Sequence, residues 1–219
     1  MATIEEARTK ILKEITSDDA DVRADYLKHF ESDIERFSEA MAHAVVTWQS
    51  LHAEVKDDED LGQVSAWVIT AISLHTLSMK LFVSGHMVAA GNLFRQVVET
   101  IALALLCSAK RDVLDRARTG RYSTNHAVKD LLRQAKQIGI DEEAVKALRD
   151  AQVFYHNYSH PTPHTIWAAM SSSEAVPYVG ASFDHEKLGI YAKEIERRLD
   201  LASVFSNFVD AVKANVGKW

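Results

Sequence analysis

Arg149, Val153, His156 and His160 stand at i, i+4, i+7 and i+11, so a helix there carries one guanidinium and two imidazoles on one stripe. Pro161 and Pro163 stop that helix by Ser159, which puts the imidazoles at its C-terminal end. The helix dipole favours imidazolium there and a nearby arginine disfavours it, so titration falls near neutral pH, as general acid–base work requires. Arg149 would steady charge developing on a phosphoryl group. Asp150 and Tyr155 lie in the same segment.

A second polar cluster interrupts an apolar stretch. Asn92, Arg95 and Glu99 recur at i, i+3 and i+7 and share one helical face, with Arg95 and Glu99 spaced to pair. An ion pair in a core costs several kcal/mol of desolvation per ion unless fully satisfied, roughly speaking. Two readings follow: a pair that fixes helix register, or a support that positions a catalytic group. His156, His160 and His164 also have a metal-ligand flavour, since i, i+4 imidazoles on a helix suit zinc. The two prolines remove His164 from that helix, so no metal site is assigned. His75 and His86, near the end of the third helix, read as packing or capping groups.

Charge separates the function classes further. Lys+Arg 25 against Asp+Glu 31 leaves −6, too acidic for coating nucleic acid by bulk charge. Between Lys110 and Lys136, however, eight cations face three anions. That basic insertion, with Arg116, Arg118 and Arg121, reads either as a guide for RNA or as a solvated helical face. The one cysteine, Cys107, lies in an apolar run and is expected to be buried and inert. Met1-Ala2-Thr3-Ile4-Glu5-Glu6 has neither the basic nor the apolar region of a secretion signal, so a cytoplasmic location is expected. The stretches Val64–Ser84 and Met87–Cys107 are apolar, but His75, Lys80, Asn92, Arg95 and Glu99 favour buried bundle helices over membrane spans.

The elements that must position these groups are helices. Thr3-Ile4-Glu5-Glu6 forms a capping box for a first helix to about Ile15. Ser17, Asp18 and Asp19 can cap a long second helix. Its seam, Leu27, Phe30, Ile34, Phe37, Met41, Ala44, Trp48, Leu51 and Val55, steps alternately by three and four. The acidic turn 56–60 opens a third helix to Ser84, closed by Gly85, and a fourth runs from about His86 to Lys110. A short helix follows in the basic stretch, broken at Gly120, then another near Asn125–Ile138 ended by Gly139. Asp141 caps the helix that carries Arg149 and His156. Residues 161–183 are expected to be irregular, and Asp184 opens a single final helix through Val216. The chain thus reads as one all-α domain over residues 1–219, a bundle of four long helices with shorter ones inserted. The seam serves either the core or a homodimer, and the face bearing Arg149 is the other candidate dimer surface.

With these residues in view, Arg149-Asp150 followed by His156 resembles the Arg-polar…His signature of the HEPN superfamily. Of the comparable Arg-to-His spacings in the chain, only this one has a polar residue after the arginine. The resemblance implies an all-α toxin or phage-defence effector that cleaves RNA without metal or other cofactor. In it a histidine moves the 2′-hydroxyl proton and the arginine steadies the scissile phosphate, at a site completed by two protomers. An antitoxin or other protein partner would accompany such an effector. The chain is also similar to bacterial helical families of unknown function with an Arg-x3-Glu helix and a Tyr-x3-Ser-His-Pro segment, here Arg95/Glu99 and Tyr155…Ser159-His160-Pro161. That second likeness makes His160 as good a candidate as His156. The competing function class is a non-catalytic helical interaction or regulatory module.

Overall fold

The computed structural model describes residues 3–173 and 176–219, and among them the architecture is all-α. Met1 and Ala2 of the N-terminal stretch, and Glu174 and Ala175 of the proline-bearing segment, lie outside the described residues. Helix α1 (Ile4–Thr16) opens on the expected capping box: Thr3 accepts from the Glu6 amide at 3.2 Å, and Glu6 accepts from the Thr3 amide at 2.7 Å. The long elements are α2 (Ala20–Val55), α3 (Glu59–Val83) and α4 (Met87–Ala109). Asp58 caps α3 by accepting from the Leu61 amide, and Gly85 terminates it with φ +82. A side chain at Gly85 would meet Ser182 and Val22 within 2.7 Å, so the turn needs glycine twice over, for conformation and for space.

The α2 seam is consumed inside the bundle, packed against α3 and the final helices. Trp48 donates its indole N–H to the backbone of Ser65 at 3.1 Å, which ties α2 to α3. One seam residue departs from expectation. Leu27 is 38% exposed and Tyr26 is buried in its place, because α2 kinks at Phe30, where φ is −134 and ψ is 16. The face therefore shifts by one residue upstream of the kink. Helices α3 and α4 are long and apolar enough to cross a membrane by length and composition, yet they pack against each other and the rest of the bundle.

Between α4 and the last helices come α5 (Arg111–Arg118), α6 (Ala127–Ile138), α7 (Glu142–His156) and α8 (Pro163–Ala168). Helix α8 corrects the expectation of an irregular segment only over its six residues; the other described residues of 161–183 are irregular. Pro163 sits in its first turn, where a missing N–H costs nothing, and Thr162 caps it by accepting from the Thr165 amide. The prolines that end one helix start the next. Buried Lys187 then ties the end of α8 down, donating to the carbonyls of Trp167 at 3.0 Å and of Met170. The final helix is also two elements, α9 (Leu188–Ser203) and α10 (Phe205–Val216), broken at Val204 with φ −104 and ψ 3. No glycine or proline marks the break; Ser203-Val204-Phe205-Ser206-Asn207 is a run of weak helix formers. Reorienting there leaves Val204 half-exposed and sends Phe205 fully into the core against His75.

Candidate functional site

Helix α4 is the site's foundation, and Gly91 determines how closely the next element approaches it. The Tyr158 ring lies so near that a Cβ on Gly91 would meet its Cγ at 2.6 Å and its Cδ atoms at 2.7 and 3.0 Å. Asn92, one residue on, donates to the Tyr158 carbonyl at 2.9 Å and accepts from the Ser159 hydroxyl at 2.6 Å. These contacts clamp the 3-10 turn Asn157–Ser159 onto α4 and so fix where the chain leaves α7.

One and two turns further along α4 stand Arg95 and Glu99. Arg95 Nε donates to Glu99 at 2.9 Å, and one terminal nitrogen donates to the Asn125 side chain at 2.9 Å. Gln152 of α7 donates to the same Glu99 oxygen at 3.0 Å. The pair is mostly shielded, with side-chain exposures of 15% and 10%, and it is knitted to α7 and to the loop before α6. His156, one turn beyond Gln152, is exposed, and its ring centroid lies 4.3 Å from that of His160. Partial desolvation, then the Arg95 charge, then His160 hold its imidazole below the usual histidine range, with Glu99 opposing. His156 is consequently the neutral form at neutral pH, a ready proton acceptor.

The sequence candidates are distributed as follows. Two chain segments meet here: α4 supplies Asn92, Arg95 and Glu99, and the end of α7 brings His156 near Arg95 and Glu99 with His160 beside it. Arg149 is exposed, two turns before His156 on α7 and about 10 Å from it along the axis. The arginine whose charge bears on His156 is Arg95. Asp150 lies on another face of α7, lining an apolar groove. Tyr155 is buried and donates to Glu194 at 2.8 Å, part of a sealed network with Arg198. Arg118 is engaged by Glu59 at 2.7 Å and Asp60 at 2.5 Å; Arg116 pairs with Asp112 at 3.2 Å, and Arg121 donates to Thr119. His164 packs edge-on against Phe154 and Tyr158, away from the imidazole pair. Among the described residues no three His, Cys, Asp or Glu side chains converge as a metal site.

Sequence reasoning missed Gln152, Asn125, Ser159 and Gly91. Gln152 had a signal, since it stands four residues before His156 on the same stripe. Asn125 and Gly91 had none, because their partners are remote in sequence. No protein-family model matches this chain, and no curated protein or solved structure is significantly similar to it.

The clamp yields a first expected outcome. Gly to Ala within a helix ordinarily stabilises by up to about 1 kcal/mol. Gly91→Ala should instead cost about 1–3 kcal/mol, because the clash is with the root of the Tyr158 ring, which no rotation removes. Urea unfolding checks the sign, and a shift in the His156 and His160 ring resonances would report the displaced turn.

Proposed function

We propose that the chain is a metal-independent endoribonuclease whose reacting groups are His156 and His160, with Arg95 facing the phosphate. The observation that carries this reading is the exposed imidazole pair, 4.3 Å between centroids, beside a guanidinium held by Glu99 and Asn125. Neutral His156 takes the proton of an RNA 2′-hydroxyl, whose oxygen attacks the adjacent phosphorus. The His160 ring gives a proton to the departing 5′-oxygen, leaving a 2′,3′-cyclic phosphate and a 5′-hydroxyl. The Arg95 terminal nitrogen not bonded to Asn125 is free to meet the negative charge that builds on the phosphoryl oxygens. Two imidazoles supply both proton transfers, so this route calls for no metal. The resemblance of the Arg149–His156 segment to HEPN proteins supports the same reaction and favours a toxin or defence effector in the cytoplasm, although Arg95 takes the part expected of Arg149.

Purified chain incubated with RNA in EDTA should cleave it, and His156→Ala with His160→Ala should lower the rate by about 10²–10⁴-fold. Activity should fall as acid protonates His156, at a lower pH than for an ordinary histidine, given the direction of its shift. Equal turnover by the double variant removes the assignment. A helical interaction module is the second reading, favoured by the large apolar groove on the other side of α7.

A further inference from the structure

Helix α6 has two opposed faces. Val128, Leu131, Ala135 and Ile138 are buried, and the helix packs on α4 and α7. On the other side Lys129, Arg133 and Lys136 stand at i, i+4 and i+7, all exposed, over about 10 Å of the axis. Lys129 and Lys136 have no ion pair among the described residues, and Arg133 stays 66% exposed although it reaches Asp130 at 3.5 Å. Asp130, the acid of this helix, is also held by the Tyr122 hydroxyl, which donates to it at 2.9 Å. The cations of α5 differ: acids meet Arg116 at Asp112, and Arg118 at Glu59 and Asp60.

This stripe leads to the imidazole site. Asn125 stands one turn before Lys129, in the 3-10 turn that runs straight into α6. Its side chain accepts from Arg95 at 2.9 Å, and its carbonyl accepts from Gln152 at 3.4 Å. Gln152 is itself one turn before His156 on α7. A row of solvent-facing cations therefore begins one turn from the Arg95 contact and runs away from it along α6.

We propose that this row is the track on which a single-stranded RNA lies as it enters the site, its phosphates meeting Lys129, Arg133 and Lys136. The inference rests on the ribonuclease reading above and adds the path of the substrate to it. Cations in line on one helix face suit the single file of charges along one strand. Contacts to phosphate fix register and orientation but read no base, so the track accepts any sequence. The whole-chain charge of −6 does not oppose this, since residues 110–136 carry eight cations against three anions. An anionic membrane is the other polyanion a basic helix can meet. Helices that lie on membranes bury their apolar face in lipid, however, and that face of α6 is already buried in the bundle.

The chain carrying His156→Ala and His160→Ala serves as a binder that does not cut, with a fluorescent oligouridylate as the probe. Its affinity should fall with salt at a log–log slope of about −2, from three phosphate contacts at about 0.7 each. Lys129→Gln with Lys136→Gln, added to it, should reduce that slope to about −0.7. The loss of affinity between about 50 and 200 mM salt then shrinks from about 20-fold to about threefold. Lys129→Arg with Lys136→Arg should keep both affinity and slope. Lys10→Gln with Lys13→Gln, the same change of charge on exposed α1, should leave the slope alone. An unchanged slope in the Lys129→Gln, Lys136→Gln variant would overturn the track without touching the imidazole assignment. Binding of phosphatidylserine vesicles but not of the oligouridylate would overturn it too. If RNA is bound through the stripe but the chain with both histidines does not cut it, the stripe stands as an RNA surface and the ribonuclease reading alone is lost.

Discussion

Glu194→Ala should lower the unfolding free energy by about 3–5 kcal/mol, the usual cost of stranding one member of a buried ion pair. Arg198 is fully buried, its guanidinium packed over Phe82 at 4.6 Å and Phe94 at 5.4 Å. One of its terminal nitrogens donates to the Glu194 carboxylate and to the Glu194 carbonyl, both at 2.8 Å. Its Nε and its other terminal nitrogen have no hydrogen-bond partner among the described residues. Glu194 is therefore the compensation for a cation that cannot reach water, and it also accepts from Tyr155, whose phenol burial keeps protonated. Removing the carboxylate orphans both groups. Replacing the pair together, Glu194→Leu with Arg198→Met, should be milder, because the desolvation cost leaves with the charges and only the Tyr155 hydroxyl loses its buried acceptor. Urea midpoints of the single and paired variants decide it. Equal losses in both would mean that packing, not charge, sets the cost.

The pattern of failures and successes in the sequence has a physical cause. Helix boundaries were legible wherever they depend on local chemistry: Thr3 with Glu6, Asp58, Gly85, Gly139 and Asp141 each satisfy end groups within a few residues. The seam of α2 was legible because burial on one face imposes a period. What escaped was set by tertiary context. Val204 breaks a helix so that Phe205 can fill the space beside His75, and nothing local marks that need. The kink at Phe30 exchanges Leu27 for Tyr26 for a similar reason: Tyr26 gathers Phe82, Phe183 and Tyr191 around its ring at 4.9–5.2 Å. Within the candidate site, residues on one helix could be grouped by spacing, but their partners could not. Arg149 shares α7 with His156 and stands two turns from it, whereas Arg95 is brought near the imidazole only by the packing of α7 on α4, which spacing within one helix does not reveal.

The clustering of Arg198 with the rings around it sets a pH response as well. His75 is fully buried, with Phe37, Phe94 and Phe205 at 4.9, 5.4 and 5.6 Å between ring centroids. Its Nε2 donates to the Arg198 carbonyl at 3.1 Å, which leaves Nδ1 as a bare acceptor with no partner among the described residues. Burial first, and the Arg198 charge in addition, push its imidazole down from 6.5 to about 3, against the opposing hydrogen bond. Above pH 6.5 the ring is neutral in folded and unfolded chains alike and contributes no slope. As pH falls from 6.5 towards about 3, the unfolded chain binds a proton that the folded chain refuses. Stability is lost there at about 1.4 kcal/mol per pH unit from this residue alone. His75→Phe keeps a ring in the same aromatic setting and removes the proton site. Between pH 7 and 5 the variant should lose about 2 kcal/mol less than the parent, since every other titrating group contributes equally to both. Urea unfolding at the two pH values measures the difference. Identical slopes would mean that the His75 ring is reached by solvent and charges in place, and the sealed core described around Arg198 would have to be open on that side.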